Sequence, residues 1–439
     1  MTLALVLIGT VAIAGLIFSS REYRTGWAPA LRRIPLLVYP SAAGVWPIIA
    51  TIIGYYLRNS HRPLRTEQLF ALQFTPLLVV GVVVALVAIV RGFRIVLLPT
   101  LAIVAILCAE MIGTIFLGQS WGHVLVAGVA LAPALFVRRE PEQLDVLKRG
   151  LAFALVLLTV VLAVFALVKP DLALRPCAVS FKCLLSDQAL TVDFGAGSNV
   201  TGVTLALIAP AVVYTISGWR AWVLPLPVLL IVMLSGSRTA MVAVVLGSLL
   251  TLLLRVRLFE RRSWILLAPV VLVSLIPVFV AFPPAALNFR GNLWSIARGL
   301  IGESPLFGQG ASFWIRNSGP LNQGLTSYSP HNIWVALLVD LGIVGTIAFV
   351  LASIFGYVNS SPEARSFALP FVFSMVSAGI LEATALYQRL GPFPIALLMM
   401  ILVLAVGNAD RSLKSARRSA NAGSRIEAVP TAANRTGRD

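Results

Sequence analysis

The chain has 439 residues, of which 59% are hydrophobic and only 12% are charged. Charged residues make up about 25% of a typical soluble domain, so this composition excludes a soluble globular enzyme and a disordered protein. Basic residues outnumber acidic residues by 34 to 17, but the arginines lie in short runs between apolar segments, as in the inner loops of membrane proteins. The sequence predicts a polytopic membrane protein, and nucleic acid is not an expected partner.

The apolar segments predict an all-α fold, because a backbone that crosses lipid must satisfy its own hydrogen bonds. A spanning helix needs about 20 apolar residues, so we expect about 12–13 transmembrane helices. The candidate segments are 2–18, 34–57, 68–90, 95–117, 121–137, 150–168, 200–217, 221–234, 239–254, 263–282, 331–357, 367–387 and 391–407.

The basic segments between the helices predict the orientation of the chain. Residues 138–149 and 255–262 are rich in Arg, and residues 410–439 form a basic tail that is predicted to be disordered and cytoplasmic. If the helices alternate, these segments share one side. Residues 1–409 then form a single transmembrane domain, with loops 169–199 and 283–330 on the outer side.

Loop 169–199 contains two cysteines, Cys177 and Cys183. An outer loop faces an oxidising compartment, where a disulfide between them is plausible. The alternative is two unpaired thiols.

Loop 283–330 contains apolar residues that recur at helical spacing. This pattern predicts a short amphipathic helix at the membrane surface. The residues are Leu293, Ile296, Ala297, Leu300 and Ile301.

The end of this loop leads into a membrane helix. Ser329 is a suitable N-cap and Pro330 suits the first helical position, which places His331 in the first turn. The positive end of the helix dipole disfavours imidazolium, and a neutral histidine accepts a proton as a general base must. The alternative is a histidine that caps the helix among lipid headgroups.

Arginines near the outer ends of helices are candidates for binding a phosphate, since the guanidinium is a planar, permanently charged fork. Arg238 lies between two apolar segments, and Arg290 and Arg298 lie in the long loop. For each of them the alternative is an arginine that extends to the headgroups.

The sequence predicts neither a metal site nor a cofactor. It has no phosphate loop of the Walker type. The acidic residues of the outer loops form no Asp-x-Asp pair, which disfavours a metal-dependent transferase; they are Asp171, Asp187, Asp193 and Glu303.

Three strings, in this order, resemble the O-antigen ligase and polysaccharide polymerase superfamily of the bacterial envelope. They are Ser235-Gly-Ser-Arg238-Thr-Ala, then Arg290-Gly-Asn-Leu-Trp294 with Pro305-Leu-Phe-Gly308-Gln-Gly310, and His331-Asn332-Ile-Trp-Val-Ala-Leu-Leu-Val-Asp340-Leu-Gly-Ile-Val-Gly345. Asn199, in Gly-Ser-Asn-Val-Thr-Gly, is also similar to the family. The family usually has Glu where Asp340 stands, which keeps the charge.

The resemblance implies a GT-C-like glycosyltransferase in the bacterial inner membrane, with its active site on the periplasmic or external face. It would move a glycan from an undecaprenyl-pyrophosphate carrier to a hydroxyl of lipid A-core, a polysaccharide or a protein. His331 would be the base, with Arg238 and Arg290 on the pyrophosphate. The predicted substrate-binding residues are Arg298, Asn332, Asn199 and Arg316.

Two other classes of function stay open from the sequence. A secondary transporter or a flippase for lipid-linked glycans should carry ionisable residues deep in its helices, and Glu110, Asp340 and Glu382 are candidates. The other class is a non-catalytic envelope scaffold. Release of carrier pyrophosphate by the purified protein would separate the enzyme from both.

Overall fold

The fold is known from a computed structural model, in which helices contain most of the described residues. The described residues are 1–24, 27–59, 66–90, 128, 131–134, 142–177, 184–185, 187–191, 199–256, 258–259, 262–310, 313–314, 329–385 and 394–407. The predicted helices 95–117 and 121–137 lie wholly or largely outside them, as do Glu110, Cys183, Arg316 and the tail 410–439.

In the N-terminal half the helices are α1 Thr2–Phe18, α2 Arg21–Arg24, α3 Trp27–Leu31, α4 Ile34–Gly44, α5 Trp46–Asn59, α6 Thr66–Val90, α7 Gln143–Val168 and α8 Pro170–Ala173. In the C-terminal half they are α9 Asn199–Thr215, α10 Trp219–Val223, α11 Pro225–Ser235, α12 Arg238–Leu253, α13 Trp264–Phe279, α14 Ala286–Glu303, α15 Ile333–Asn359, α16 Pro362–Gly379 and α17 Ile395–Gly407.

Within the described part of the chain, two helices are long and apolar enough to span a membrane on their own. These are α7 and α15, and α4 with α5 would add a third if this pair, bent by 49°, is one span. Shorter apolar helices accompany them, including α9, α12 and α13. The chain is therefore predominantly helical and apolar, and the expected count of about 12–13 spans stays a prediction.

Helix α9 lies at the centre of the bundle, packed between α11, α12 and α16. Every residue from Thr201 to Val213 is buried, so no face of this helix is left for lipid. Small residues allow the close packing: a Cβ on Gly247 of α12 would lie 3.1 Å from Pro210 Cγ of α9. A helix that is apolar on all sides belongs in such an interior position.

The loop between α7 and α9 departs from the predicted all-α fold, because it contains a small antiparallel sheet. Strands β1 Leu174–Pro176 and β2 Gln188–Leu190 pair with Leu174 opposite Leu190. The next backbone bond along the ladder runs from Cys177 N to Asp187 O, at 3.1 Å. Cys177 takes part in a disulfide.

Helix α15 is broken at Gly342, whose φ of 63° and ψ of −170° are not helical. Residues 305–310, hereafter the strip, lie against this break. Gln309 N donates to Val339 O, and Ile343 N on the far side donates to Pro305 O. A Cβ on Gly342 would lie 2.4 Å from Leu306 O, so the contact requires glycine.

The two ends of α9 differ in chemistry. The helix is about 25 Å long, with Asn199 at one end and Thr215 at the other. Beyond Thr215 lies a basic end, where Arg255 donates to the carbonyls of Val213 and Ile216. The residues of the candidate site gather at the Asn199 end, hereafter the site end.

Candidate active site

The centre of the site is the carboxylate of Glu382, which lies in the bend after α16 and is 1% exposed. Its Oε1 accepts from Arg290 Nη2 at 2.9 Å and from Asn199 Nδ2 at 2.8 Å. Its Oε2 lies 2.8 Å from His331 Nδ1. A buried carboxylate is costly unless it is paired and hydrogen-bonded, and this one has both kinds of partner.

His331 precedes its helix rather than lying in the first turn. The helix begins at Ile333 with Asn332 as N-cap, so the predicted cap at Ser329 and Pro330 is wrong. His331 has a left-handed backbone with φ of 50°, and Trp294 Nε1 fixes the preceding residue by donating to Pro330 O at 2.7 Å. The conformation turns the ring toward Glu382.

Asn332, next to His331, links several helices through its side chain and is fully buried. Its Oδ1 accepts from the backbone amides of Trp334 and Val335, both at 3.0 Å, which caps α15. Its Nδ2 donates to carbonyls of two other helices and the bend; they are Ser274 O, Gly379 O and Ile380 O. The amide thus positions its neighbour His331, and the substrate-binding role expected for it stays a prediction.

Arg290 enters the site from a left-handed turn inside α14. Leu287, Asn288 and Phe289 all have positive φ, so the regular part of the helix begins near Arg290. The guanidinium is 16% exposed and contacts Glu382 through Nη2. Its Nε is buried and has no hydrogen-bond partner among the described residues, which leaves one donor unsatisfied.

The turn between α11 and α12 also contributes residues to the site. Gly236 ends α11 in the left-handed conformation with φ of 68°, and Ser237 is the N-cap of α12. Ser237 Oγ also donates to Asn199 Oδ1 at 2.9 Å, so Asn199 links this turn to Glu382. Arg238 follows at the first helical position and is exposed at the site end.

Arg298 contacts backbone rather than the carboxylate. Its Nη1 donates to Pro277 O at 3.2 Å and to Val280 O at 3.0 Å, at the C-terminal end of α13. Cations are favourable at that end of a helix. The structure therefore shows Arg298 joining α13 to α14, while its role in binding substrate stays a prediction.

The structure brings together Asn199, Arg290 and His331, and it adds Glu382 and Ser237. Sequence reasoning placed Glu382 deep in a helix over 367–387 and considered it only for a transporter. The helix instead ends at Gly379. An acidic residue in an apolar segment needs a cation nearby, and that requirement was the signal that could have linked it to Arg290.

The contact with Glu382 determines which ring nitrogen of His331 carries a proton. Paired with Arg290, the carboxylate of Glu382 acts as the acceptor, so Nδ1 carries the ring proton in this contact. In the neutral ring with this proton, the lone pair lies on Nε2. Orientation of a histidine by a buried carboxylate is the arrangement found in hydrolytic triads.

Residues 223–350 match the family model described as O-antigen ligase. This segment, 128 of the 439 residues, is similar to the O-antigen ligase family. The match confirms the family resemblance that the three strings predicted. No curated protein matches the chain.

The segment that matches the O-antigen ligase model includes Arg238, Arg290, Arg298 and His331. Asn199 and Glu382 lie outside the matched segment and join the site through the fold. The family and the apolar helices together indicate an O-antigen ligase or polymerase type of membrane enzyme.

Proposed function

We propose that this protein transfers a glycan from an undecaprenyl-pyrophosphate carrier to an acceptor hydroxyl without a metal ion. One observation carries the proposal: Glu382 contacts both His331 and Arg290, at 2.8 and 2.9 Å. A single buried carboxylate thus holds a proton acceptor and an anion-binding cation side by side. Glycan transfer from a pyrophosphate needs both groups at one reacting centre.

In the proposed reaction the acceptor oxygen bonds to the anomeric carbon while its proton passes to Nε2 of His331. The bond from that carbon to the pyrophosphate oxygen breaks, and the electron pair leaves with the phosphate. General-base assistance of this kind contributes about 10²–10⁴ to the rate. Glu382 keeps Nδ1 protonated throughout, so Nε2 is the nitrogen that accepts the proton.

Arginine neutralises the charge that develops on the departing pyrophosphate. The side chain of Arg290 is 16% exposed at the site, and Arg238 is exposed at the start of α12. A preorganised cation aimed at developing charge stabilises the transition state more than the ground state. Pyrophosphate is a good leaving group, so the site needs no strong general acid.

The site end is proposed to face the periplasm or the cell exterior. The opposite end carries Lys148, Arg149, Arg255 and Arg262, and positively charged loops favour the cytoplasm. A membrane-impermeant thiol reagent should therefore label Glu303→Cys in intact cells with a permeabilised outer membrane, in a background without the native cysteines. It should not label Arg262→Cys, and the reverse pattern would overturn this orientation.

The experiment for the proposed reaction measures release of undecaprenyl pyrophosphate by the purified full-length protein. His331→Ala should lower kcat by about 10²–10⁴ and leave the KM for the donor almost unchanged. Arg238→Ala should raise the donor KM and lower kcat, whereas Arg262→Ala at the basic end should change neither. A transporter or scaffold would release no pyrophosphate, and an unchanged kcat for His331→Ala would remove His331 from the mechanism.

A further inference from the structure

A buried apolar cluster, hereafter the tryptophan cluster, lies beside the site where α14 packs on α15. Leu381, the residue before Glu382, packs against this cluster. Val335, about one helical turn after His331, is part of it. The cluster therefore contacts the chain next to both partners of the contact between Glu382 and His331. Its buried members are Trp294, Ala297, Trp314, Val335 and Val339.

The two tryptophans of the cluster pack alike but differ in their polar atoms. Each is buried and has an edge contact with a phenylalanine, with ring centroids 5.0 Å apart for Trp294 and Phe282 and 6.1 Å apart for Trp314 and Phe313. Trp294 Nε1 donates to Pro330 O at 2.7 Å. Trp314 Nε1 is buried without a hydrogen-bond partner among the described residues. The hydrogen bond, and not the packing, distinguishes the two indoles.

The carbonyl that Trp294 contacts belongs to the peptide group just before a strained residue. His331 has a φ of 50°, and a non-glycine residue keeps such a conformation only where the surrounding structure holds it. The indole fixes the peptide group between Pro330 and His331 on one side. The side-chain hydrogen bonds of Asn332 fix the chain on the other side. The left-handed turn at His331 is thus held from both directions.

Helix α14 contacts both working side chains of the site. Arg290 and Trp294 are four residues apart, so they lie on the same face of this helix. Arg290 Nη2 donates to Glu382 Oε1 at 2.9 Å, while Trp294 holds the backbone before His331. One turn of one helix therefore sets the separation between the arginine and the histidine.

We propose that Trp294 is a positioning residue for His331, whose indole N–H keeps Nδ1 against Glu382 and Nε2 toward the acceptor hydroxyl. Trp294 takes no part in the proton transfer. Without the indole N–H, the buried Pro330 carbonyl loses a donor, the strained turn relaxes and the imidazole leaves the carboxylate. The effect on rate rests on the proposed function, whereas the orientation of the ring rests on the geometry alone.

The kinetic test compares the two tryptophans. Trp294→Phe keeps an aromatic ring and removes the donor, so kcat for release of undecaprenyl pyrophosphate should fall by about 10²-fold with an unchanged donor KM. Trp314→Phe is the matched control, which should lower the temperature of unfolding and change neither kcat nor KM. Benzothienylalanine at position 294 or 314 replaces the indole N–H with sulfur and keeps the ring shape, so the comparison does not depend on the folding of the phenylalanine variants.

NMR of ring-labelled histidines tests the orientation without turnover. The chain has three histidines, and His331→Gln assigns the signals of His331. The neutral ring should carry its proton on Nδ1 in the unmodified protein and in the variants at position 314, but show both tautomers in the variants at position 294. An unchanged tautomer at position 294, or an equal loss of kcat at both positions, would overturn the proposal. A changed tautomer in a protein that releases no pyrophosphate would support the positioning and remove the proposed reaction.

Discussion

Replacing Glu382 with Gln keeps the size of the side chain and changes the proton on His331. The amide oxygen can take the place of Oε1 and still accept from Arg290 and Asn199. The amide nitrogen then takes the place of Oε2, opposite His331 Nδ1. Because that nitrogen only donates, Nδ1 must become the acceptor and the ring proton must move to Nε2.

The expected loss follows from this change of tautomer. With Nε2 protonated, the ring cannot take the proton of the acceptor, so kcat should fall by about 10²–10⁴. The same carboxylate-to-amide exchange in the triad of a serine protease lowers kcat by about 10⁴. Removing one partner of a buried ion pair costs about 3–5 kcal/mol. Gln keeps part of the hydrogen bonding, so its cost should be smaller and the fold should survive.

The assay is release of undecaprenyl pyrophosphate, with thermal unfolding measured on the same samples. Glu303→Gln removes an exposed carboxylate at the end of α14 and serves as the matched control, with unchanged kcat and stability. A folded Glu382→Gln variant with the kcat of the unmodified protein would refute the reasoning, because the orientation of His331 would then not depend on the carboxylate.

Three further substitutions, two of them with a control substitution, test the framework of the site by thermal unfolding and kinetics. Asn332→Ala should lower the free energy of unfolding by about 3–5 kcal/mol, because a cap and the donor for three carbonyls are lost together, whereas Ser361→Ala, a simple cap, should cost about 1 kcal/mol. Gly342→Ala should destabilise the protein by more than about 2 kcal/mol through its clash with the strip, while Gly299→Ala, with open space around its Cβ, should gain about 0.5–1 kcal/mol. Arg298→Ala should cost about 1–3 kcal/mol in stability with an unchanged donor KM; a raised donor KM with unchanged stability would instead support the role in substrate binding.

The positions of the apolar helices could be predicted from the sequence because helical spans depend on local composition. The segments predicted at 2–18, 200–217 and 239–254 correspond to α1, α9 and α12 within a few residues. The break in α15 could not be predicted, because it results from contact with a strip some thirty residues earlier in the chain. Local patterns do not record such a contact.

The site was predicted in part, through residues whose chemistry is unusual for an apolar chain. His331, Arg290 and Asn199 stood out, and the structure places them around one carboxylate. Glu382 was assigned to another function because its segment resembled a continuous membrane helix. Its position beside Arg290 and His331 depends on the end of α16 at Gly379, where a Cβ would lie 2.9 Å from Ile333, and tertiary packing of that kind is not visible in a single sequence.

Helices α9, α12 and α15, and the regular part of α14, all begin at the site end. Each helix N-terminus carries the equivalent of about half a positive charge, and this charge resides in the peptide groups. The backbone therefore adds a fixed positive field around Glu382, alongside the guanidinium groups. Under the proposed function, attraction of an anionic lipid carrier would in this sense be a property of the bundle, and no single side-chain substitution would remove it.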